Sequence, residues 1–506
     1  MVTVKQILNE NPQLMDLLLE GNFGIELEQH RILTDGQLSR YPYPQVFRSR
    51  RHNPYLKTDF SDTMTEIASA PTLGATAAVK NTKILQQIVH DQLHEDERYW
   101  PLSVLPELND ADLEYAGHNN TRHWMDDYHD YLQEKYGTVR QIMTGVHVGY
   151  SLNDSLIYGL YHHGFKEKYA SMTEFRNEIY FQLAQGFVLN RWLFTYLFGC
   201  SPLLTNRPTD LPAEIQGPMR SFRSSKYGYA NLPDEEVAYG SFDQFINQIQ
   251  QYVDDGTYFS HHEFYGPVRL KTPADTLADI KNNGTRWIEI RAFDLDPLSR
   301  SGISNDTLNF LELYLTYTLT LEEPAELNAR LVEAVELNNQ VALQNPTEQF
   351  DWVKDRASEL LDQIEAFADE VNAPKIYQDA LLFTRRRVED PSLTISGQIM
   401  EKLISPEDYL NYGLLIANDR FSMNRHYEHP IEVLKDQYPE NTQQLLRAAI
   451  EMGVTVIFED DSHFELSVGD HLEFFDKTIK FIFPEGPEQY LANMFPELAE
   501  LTDEKP

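Results

Sequence analysis

Two carboxylates one residue apart interrupt an apolar run in Phe23-Gly24-Ile25-Glu26-Leu27-Glu28-Gln29-His30. In an extended strand, alternation sends Glu26 and Glu28 to one face and Ile25 and Leu27 to the other. Like charges about 4 Å apart repel by roughly 4 kcal/mol at an effective dielectric of about 20, so a cation belongs beside them. Three further segments bury ionisable residues in strand-like sequence: TDFSDTMTEIASAP at 58–71, TGVHVGYSL at 144–152 and RWIEIRAFDLDP at 286–297. Asp59 and Glu66 share a face only if the chain turns near Ser61-Asp62. His147 shares its face with Gly149 and Ser151, and Glu289 and Arg291 share theirs with Trp287.

Taken singly, each segment reads as an edge strand with a solvated acidic face. Taken together, one sheet face carrying Glu26, Glu28, Asp59, Glu66, His147 and Glu289 is electrostatically intolerable without cations. Oxygen-rich clusters with one imidazole suit Mg²⁺ or Mn²⁺, which retain water and share phosphate oxygens. Arg291, and Arg223 from SFRSSKYGYAN at 221–231, suit a transferring phosphoryl group. The pattern predicts metal-assisted phosphoryl chemistry on a small substrate. No G-x-x-x-x-G-K-[ST] loop is present, and no G-x-G-x-x-G follows a strand. The adjacent pairs His162-His163 and His261-His262 are expected to diverge and to be exposed or capping.

The elements that must position these groups alternate irregularly. Helical periodicity covers VKQILNENPQLMDLLLEG up to Gly21, AAVKNTKILQQIVHDQLHED, RHWMDDYHDYLQEKYG, a single long helix over 172–200, and most of 307–404. Strands are expected at FGIELEQHRIL, QIMTGVHVGYSL and TRWIEIRAFDL. After a proline- and charge-rich break at 424–441, one helix and two short strands, VTVIFED and HFELSVG, follow. Strands separated by long helices without regular βαβ alternation predict an α+β class.

The chain of 506 residues carries 42 basic and 79 acidic side chains, a formal charge of −37 that argues against a nucleic-acid partner. Its single cysteine, Cys200, excludes an intramolecular disulfide and fits a reducing compartment. It is expected to be a buried small residue. No basic-then-apolar leader opens the sequence, and the sequon at 119–121 carries no weight. GFVLNRWLFTYLFG is broken by Asn190 and Arg191 and reads as buried helix, not a membrane span. The expectation is a cytoplasmic protein without membrane partners.

The charged strand segments, with TYLFGCSPLL at 195–204 and EFYGPVRLK at 263–271, resemble in order seven elements of the bacterial glutamate–cysteine ligases. They are most similar to the ligase half of the bifunctional γ-glutamylcysteine synthetase/glutathione synthetases. The resemblance runs over roughly residues 15–405. It implies a glutamine-synthetase-like α+β fold, an antiparallel sheet with a concave active face surrounded by helices. It also implies ligation of the L-glutamate γ-carboxylate to L-cysteine through a γ-glutamyl phosphate, with ATP as co-substrate and Mg²⁺ or Mn²⁺ bound. By the same resemblance, Glu26, Glu28, Asp59, Glu66, His147 and Glu289 form the metal and substrate shell. Arg223, Arg291 and Glu66 are catalytic; Arg223, Arg269 and Arg291 hold phosphate or nucleotide. Phe60, Tyr128, Tyr229 and Tyr265 line the cysteine pocket, and Gly149, on the His147 face, is a further substrate-binding position.

Three departures stand out. Gly149 occupies a place where the family usually has Asn, His129 one where some members have Arg, and Met64-Thr65 one where Gln-Leu is usual. The acceptor amine is therefore less determined than the phosphoryl chemistry. The alternatives are a γ-glutamyl ligase using another amine, or a catalytically silent binding homologue. The chain is expected to divide into a catalytic domain, 1–405, and an extension, 406–506, that resembles the linker of the bifunctional enzymes without their ATP-grasp module. It is accordingly not expected to make glutathione from glycine. Its assembly is expected to be a monomer or homodimer.

Overall fold

Alternating apolar residues build the sheet. Ile25 and Leu27 are 1% exposed, and Val146, Val148, Tyr150, Ile288 and Ile290 are fully buried beside them. Burying one such side chain contributes about 1.5–3 kcal/mol, so this apolar layer holds the strands in register. The structure, a computed structural model, describes residues 2–118, 122–400, 402–403, 405–425, 427–458 and 462–501. The sequon at 119–121 and the last two residues of VTVIFED lie outside the described residues.

The main sheet has eight strands: β1 (Asn22–Leu33), β2 (Leu56–Thr58), β3 (Met64–Ala68), β4 (Thr72–Leu73), β5 (Glu97–Tyr99), β6 (Val146–Ser151), β7 (Val268–Lys271) and β8 (Trp287–Phe293). Its main path runs β2-β3-β1-β6-β8-β7, with β4 and β5 also pairing with β1. Every pairing is antiparallel. Helices Ala75–His90, Met172–Leu189 and Arg191–Phe198 pack on β1, β7 and β8 respectively. The expected α+β class with an antiparallel sheet is what forms. A separate sheet of β9 (Thr455–Phe458), β10 (His463–Val468) and β11 (His471–Asp476) lies near the C-terminus.

Several elements differ from expectation for local reasons. The first helix spans only Val4–Glu10, because Pro12 removes a donor, and a 3₁₀ turn replaces its continuation. The 172–200 helix is two helices broken at Asn190, whose side chain donates to the Tyr314 hydroxyl (3.0 Å). Strands β4, β5, β7 and β11 were not expected. His261 and His262 do not diverge: a 3₁₀ turn over His261–Glu263 brings their ring centroids to 4.0 Å. Cys200 is fully buried, as expected, and burial pushes its thiol up. No helix among the described residues is long and apolar enough to cross a membrane.

The segment beyond 405 is tied to the rest. Arg420 in helix Pro406–Arg425 donates to the carbonyls of Pro297 (3.0 Å) and Ser299 (2.7 Å). Asn53 donates to the Ile450 carbonyl (3.2 Å), and the Val456 amide donates to the Tyr55 hydroxyl (2.6 Å).

One buried acid sits away from the charged face. Glu312 is 0% exposed and accepts from the Gly21 amide (2.8 Å) and the Tyr377 hydroxyl (2.7 Å). Burial pushes its carboxyl up to about 7 from the ordinary 4.5. Between these values the unfolded chain releases the proton while the folded chain keeps it, so stability falls as pH rises. Above about pH 7 the loss is complete, amounting to about 3 kcal/mol. Glu312→Gln retains an acceptor for Gly21 and carries no charge. Urea unfolding at pH 5 and pH 8 is expected to show wild type losing about 2–3 kcal/mol more than this variant across the interval. Equal losses would rule out Glu312 as the titrating group.

Candidate active site

Strand register brings the predicted charged residues into adjacent rows on one sheet face. Glu28 on β1 lies opposite Glu66 on β3, and Lys57 on β2 lies opposite Glu66. One step along, Glu26 faces His147 on β6; one step further, Gly24 and Glu289 flank Gly149, and Arg269 on β7 flanks Glu289. A register shift between Val146 and Val148 lets His147 reach Arg291. The β2–β3 connection is the expected turn, and it carries Asp59 and Phe60 toward the same end of the sheet. Like charges directly opposite across strands destabilise a sheet, which makes the Glu28–Glu66 pair costly as it stands.

Side-chain geometry joins the rows. His147 Nδ1 lies 3.3 Å from Glu26 Oε2 and 3.3 Å from Arg291 Nη1, while its Nε2 lies 3.4 Å from Arg223 Nη2 and 3.7 Å from Glu28 Oε1. Arg291 donates to Glu289 (2.7 Å) and to the Tyr229 hydroxyl (3.1 Å). Glu289 also has Lys271 at 3.6 Å and Arg269 at 3.7 Å. Glu66 pairs with Lys57 at 3.1 Å. Arg223 is anchored by the carbonyls of Arg291 (3.0 Å) and Phe293 (3.2 Å). Glycine at 145 leaves room for the Arg223 guanidinium: a Cβ there would lie 2.4 Å from its central carbon and displace it from this position.

The electrostatics divide the face. Burial, reinforced by Asp59 and Glu66, pushes the Glu28 carboxyl well up. Burial also raises Glu66 to about 7, despite Lys57. Burial, with Glu289 nearby, raises Glu26. Glu289 goes the other way: against the cost of burial, Lys271, Arg291 and Arg269 hold it well below the carboxylate range. Asp59 is likewise held low by Arg122 and His129 against burial. His147 is driven well below its ordinary value by burial and then by Arg291, which keeps the imidazole neutral.

This donor set fits a hard divalent cation. Glu28 and Glu66 are 5% and 7% exposed and carry raised carboxyls, and Glu28 borders a neutral imidazole, the form that ligates metal. Arg223 Nε and Arg291 Nε are buried without a hydrogen-bond partner, donors suited to an anion beside the acids. The predicted aromatic residues form one wall. Tyr229 and Tyr265 have ring centroids 4.5 Å apart, Tyr128 packs at 6.3 Å on His129, and Phe60 meets His129 at 5.4 Å. Gly149 stands apart from this wall, under Trp287; a Cβ at 149 would lie 3.4 Å from the Trp287 ring.

A family model described as Glutamate-cysteine ligase matches residues 6–341, which include every one of these side chains. The chain belongs to the glutamate–cysteine ligase family. It is 30% identical over 470 residues to the glutathione biosynthesis bifunctional protein of Streptococcus mutans, covering 90% of this chain and 60% of that one. The corresponding protein of Enterococcus faecalis is 31% identical over 470 residues, with the same coverage. The crystal structure of a bifunctional glutathione synthetase from Pasteurella multocida superposes with a TM-score of 0.83 at 25% identity, covering 93% of this chain and 62% of that one. A glutamate–cysteine ligase from Francisella tularensis, solved in complex with AMP, shares the fold at a TM-score of 0.72 and 23% identity, covering 96% of this chain and 99% of that one. This ligase-family chain thus spans about 60% of the length of the curated relatives it matches.

Four residues on or beside the charged face were not among those the sequence pattern singled out. Lys57 and Lys271 were legible: each lies two residues from a predicted site residue, Asp59 and Arg269, and Lys271 shares the Arg269 face by alternation. Gly145 carried no signal before Arg223 was placed. Arg122, which donates to the Asp59 carbonyl and lies 3.4 Å from His129 Nε2, opens the expected helical segment RHWMDDYHDYLQEKYG, but the chain there makes a 3₁₀ turn at His123–Met125 and the helix starts only at Asp126, which frees Arg122 to reach Asp59.

Proposed function

We propose that this chain catalyses ATP-dependent ligation of L-glutamate, through its γ-carboxylate, to the amine of L-cysteine, giving γ-glutamylcysteine, ADP and phosphate. The observation that carries the reading is the single sheet face on which Glu26, Glu28, Glu66, Asp59 and Glu289 meet Arg223 and Arg291. A carboxylate condenses with an amine only after its oxygen becomes a good leaving group. The glutamate γ-carboxylate attacks the γ-phosphate of ATP and expels ADP; the amine then attacks the acyl phosphate and expels phosphate. Arg291, clamped by Glu289 and Tyr229, and Arg223, clamped by strand carbonyls, present fixed positive charge to the phosphoryl oxygens. Mg²⁺ or Mn²⁺, held by Glu26, Glu28, Asp59, Glu66, His147 and Glu289, would neutralise triphosphate charge. Arg269 lies beside Glu289 to hold nucleotide phosphate. Phe60, Tyr128, Tyr229 and Tyr265 would enclose the acceptor and keep water from the acyl phosphate. We assign this activity to 1–405, with 406–506 as its appended segment.

A second reading, the same chemistry on another amine, is favoured by His129. Burial, aided by Arg122, lowers this imidazole to about 4, so it is uncharged at neutral pH and offers no ion pair to an acceptor carboxylate. The test is ADP release by purified protein with Mg²⁺, glutamate and each candidate amine in turn, with the product identified by mass. Fastest release with cysteine is expected. A faster amine would replace cysteine, and no glutamate-dependent release with any amine would sink the ligase reading.

A further inference from the structure

Outside the face just described, one cluster places three metal-ligating side chains together. A ring nitrogen from each of His261 and His262 and a carboxylate oxygen of Asp275 all lie within 4.8 Å of one another. His261 Nε2 bonds the Asp275 carbonyl (2.8 Å), which orients the ring on the turn carrying the carboxylate. Asp275 adopts a left-handed conformation (φ 48°), uncommon for a residue with a side chain, and its Oδ2 faces His262 Nδ1 at 3.7 Å. The cluster borders a small cleft whose other walls include Phe245, Ile249 and Phe264. His262 is exposed, so solvent ions reach it.

We propose that His261, His262 and Asp275 form a site for a divalent transition-metal ion of the Zn²⁺ class, and that its occupancy is felt at Glu289 through Lys271 and Arg269. Two imidazoles and one carboxylate select borderline metals over Mg²⁺, which separates this site chemically from the carboxylate-rich face. Both links are direct. Lys271 Nζ bridges Asp275 Oδ1 (2.7 Å) and Glu289 Oε2 (3.6 Å). Arg269 donates to the His262 carbonyl (2.5 Å) and lies 3.7 Å from Glu289. A doubly charged ion on Asp275 repels Lys271 and draws carboxylate charge from it. Lys271 then turns its charge onto Glu289, so an occupied site lowers turnover. This second half rests on the ligase reading; the binding half does not.

The test uses the full chain saturated with Mg²⁺, titrated with Zn²⁺ by calorimetry and with Co²⁺ by visible absorption. Wild type is expected to bind one Zn²⁺ with micromolar affinity and to give Co²⁺ bands of imidazole ligation. His262→Ala and Asp275→Asn are expected to weaken binding by roughly tenfold or more. Equal affinity and spectra in wild type and both variants would overturn the site. In the ADP-release assay, Zn²⁺ is expected to inhibit wild type at concentrations several-fold below those needed for His262→Ala, whose activity without Zn²⁺ is unchanged. Identical Zn²⁺ sensitivity would overturn the coupling. If wild type releases no ADP with any amine, the ligase reading fails while calorimetry still decides the metal site.

Discussion

Replacing Arg291 by alanine is expected to lower glutamate-dependent ADP release roughly a thousandfold, the range seen when a fixed cation is removed from a phosphoryl-transfer site. Arg291 lies where the charged rows meet, bonding Glu289 at 2.7 Å and Tyr229 at 3.1 Å and approaching His147 at 3.3 Å. On the proposed reading its removal takes a positioned charge from the phosphoryl oxygens, and it leaves the Tyr229 hydroxyl without its guanidinium donor. The fold should survive, because Glu289 keeps Lys271 and Arg269 as partners. Arg291→Lys should recover little, since one ammonium cannot reproduce a planar fork held by carboxylate and hydroxyl together. The measurement is the initial rate of ADP release at saturating ATP and glutamate, with a thermal melt of each variant as the folding control. A loss below about tenfold in a folded Arg291→Ala protein would remove Arg291 from the chemistry.

Glu28→Gln is expected to stabilise the metal-free protein while lowering Mg²⁺-dependent turnover by about a hundredfold or more. Glu28 is buried, lies opposite Glu66 across the strands, and is pushed well up by burial with Asp59 and Glu66. An uncharged isostere removes that repulsion and keeps an acceptor for the Gly145 amide, now bonded at 3.0 Å. Replacing a poorly compensated buried charge in this way commonly gains about 1–2 kcal/mol. If Glu28 ligates the cation as proposed, the same substitution removes a ligand, so added Mg²⁺ should raise the melting temperature of wild type more than that of the variant. Melting curves with chelator and with Mg²⁺, set beside ADP-release rates, give both halves. A variant less stable than wild type in chelator would mean that Glu28 is compensated within the protein.

Local pattern determined which residues could share a face. Alternation in FGIELEQH, GVHVGY and RWIEIRAF assigned Glu26, Glu28, His147, Glu289 and Arg291 to one side and the core residues to the other. The reason is that side-chain direction in a strand follows from backbone geometry alone. The ordered motifs were equally legible, and with them the ligase family. Sequence did not reveal how rows align across strands that are distant in the chain. Glu28 meets Glu66 and Glu26 meets His147 only because buried Leu27, Val146 and Ile67 set that register. The same holds for Arg122 reaching Asp59, for Gly145 yielding to Arg223, and for Trp287 lying over Gly149. It holds also for the two histidines beside Asp275, which a 3₁₀ turn turned together where simple helix or strand geometry would part them. The types and faces of the charged residues are therefore properties of the sequence. Which charge compensates which was decided by tertiary packing, because buried apolar area fixes the register and electrostatic partners follow from it.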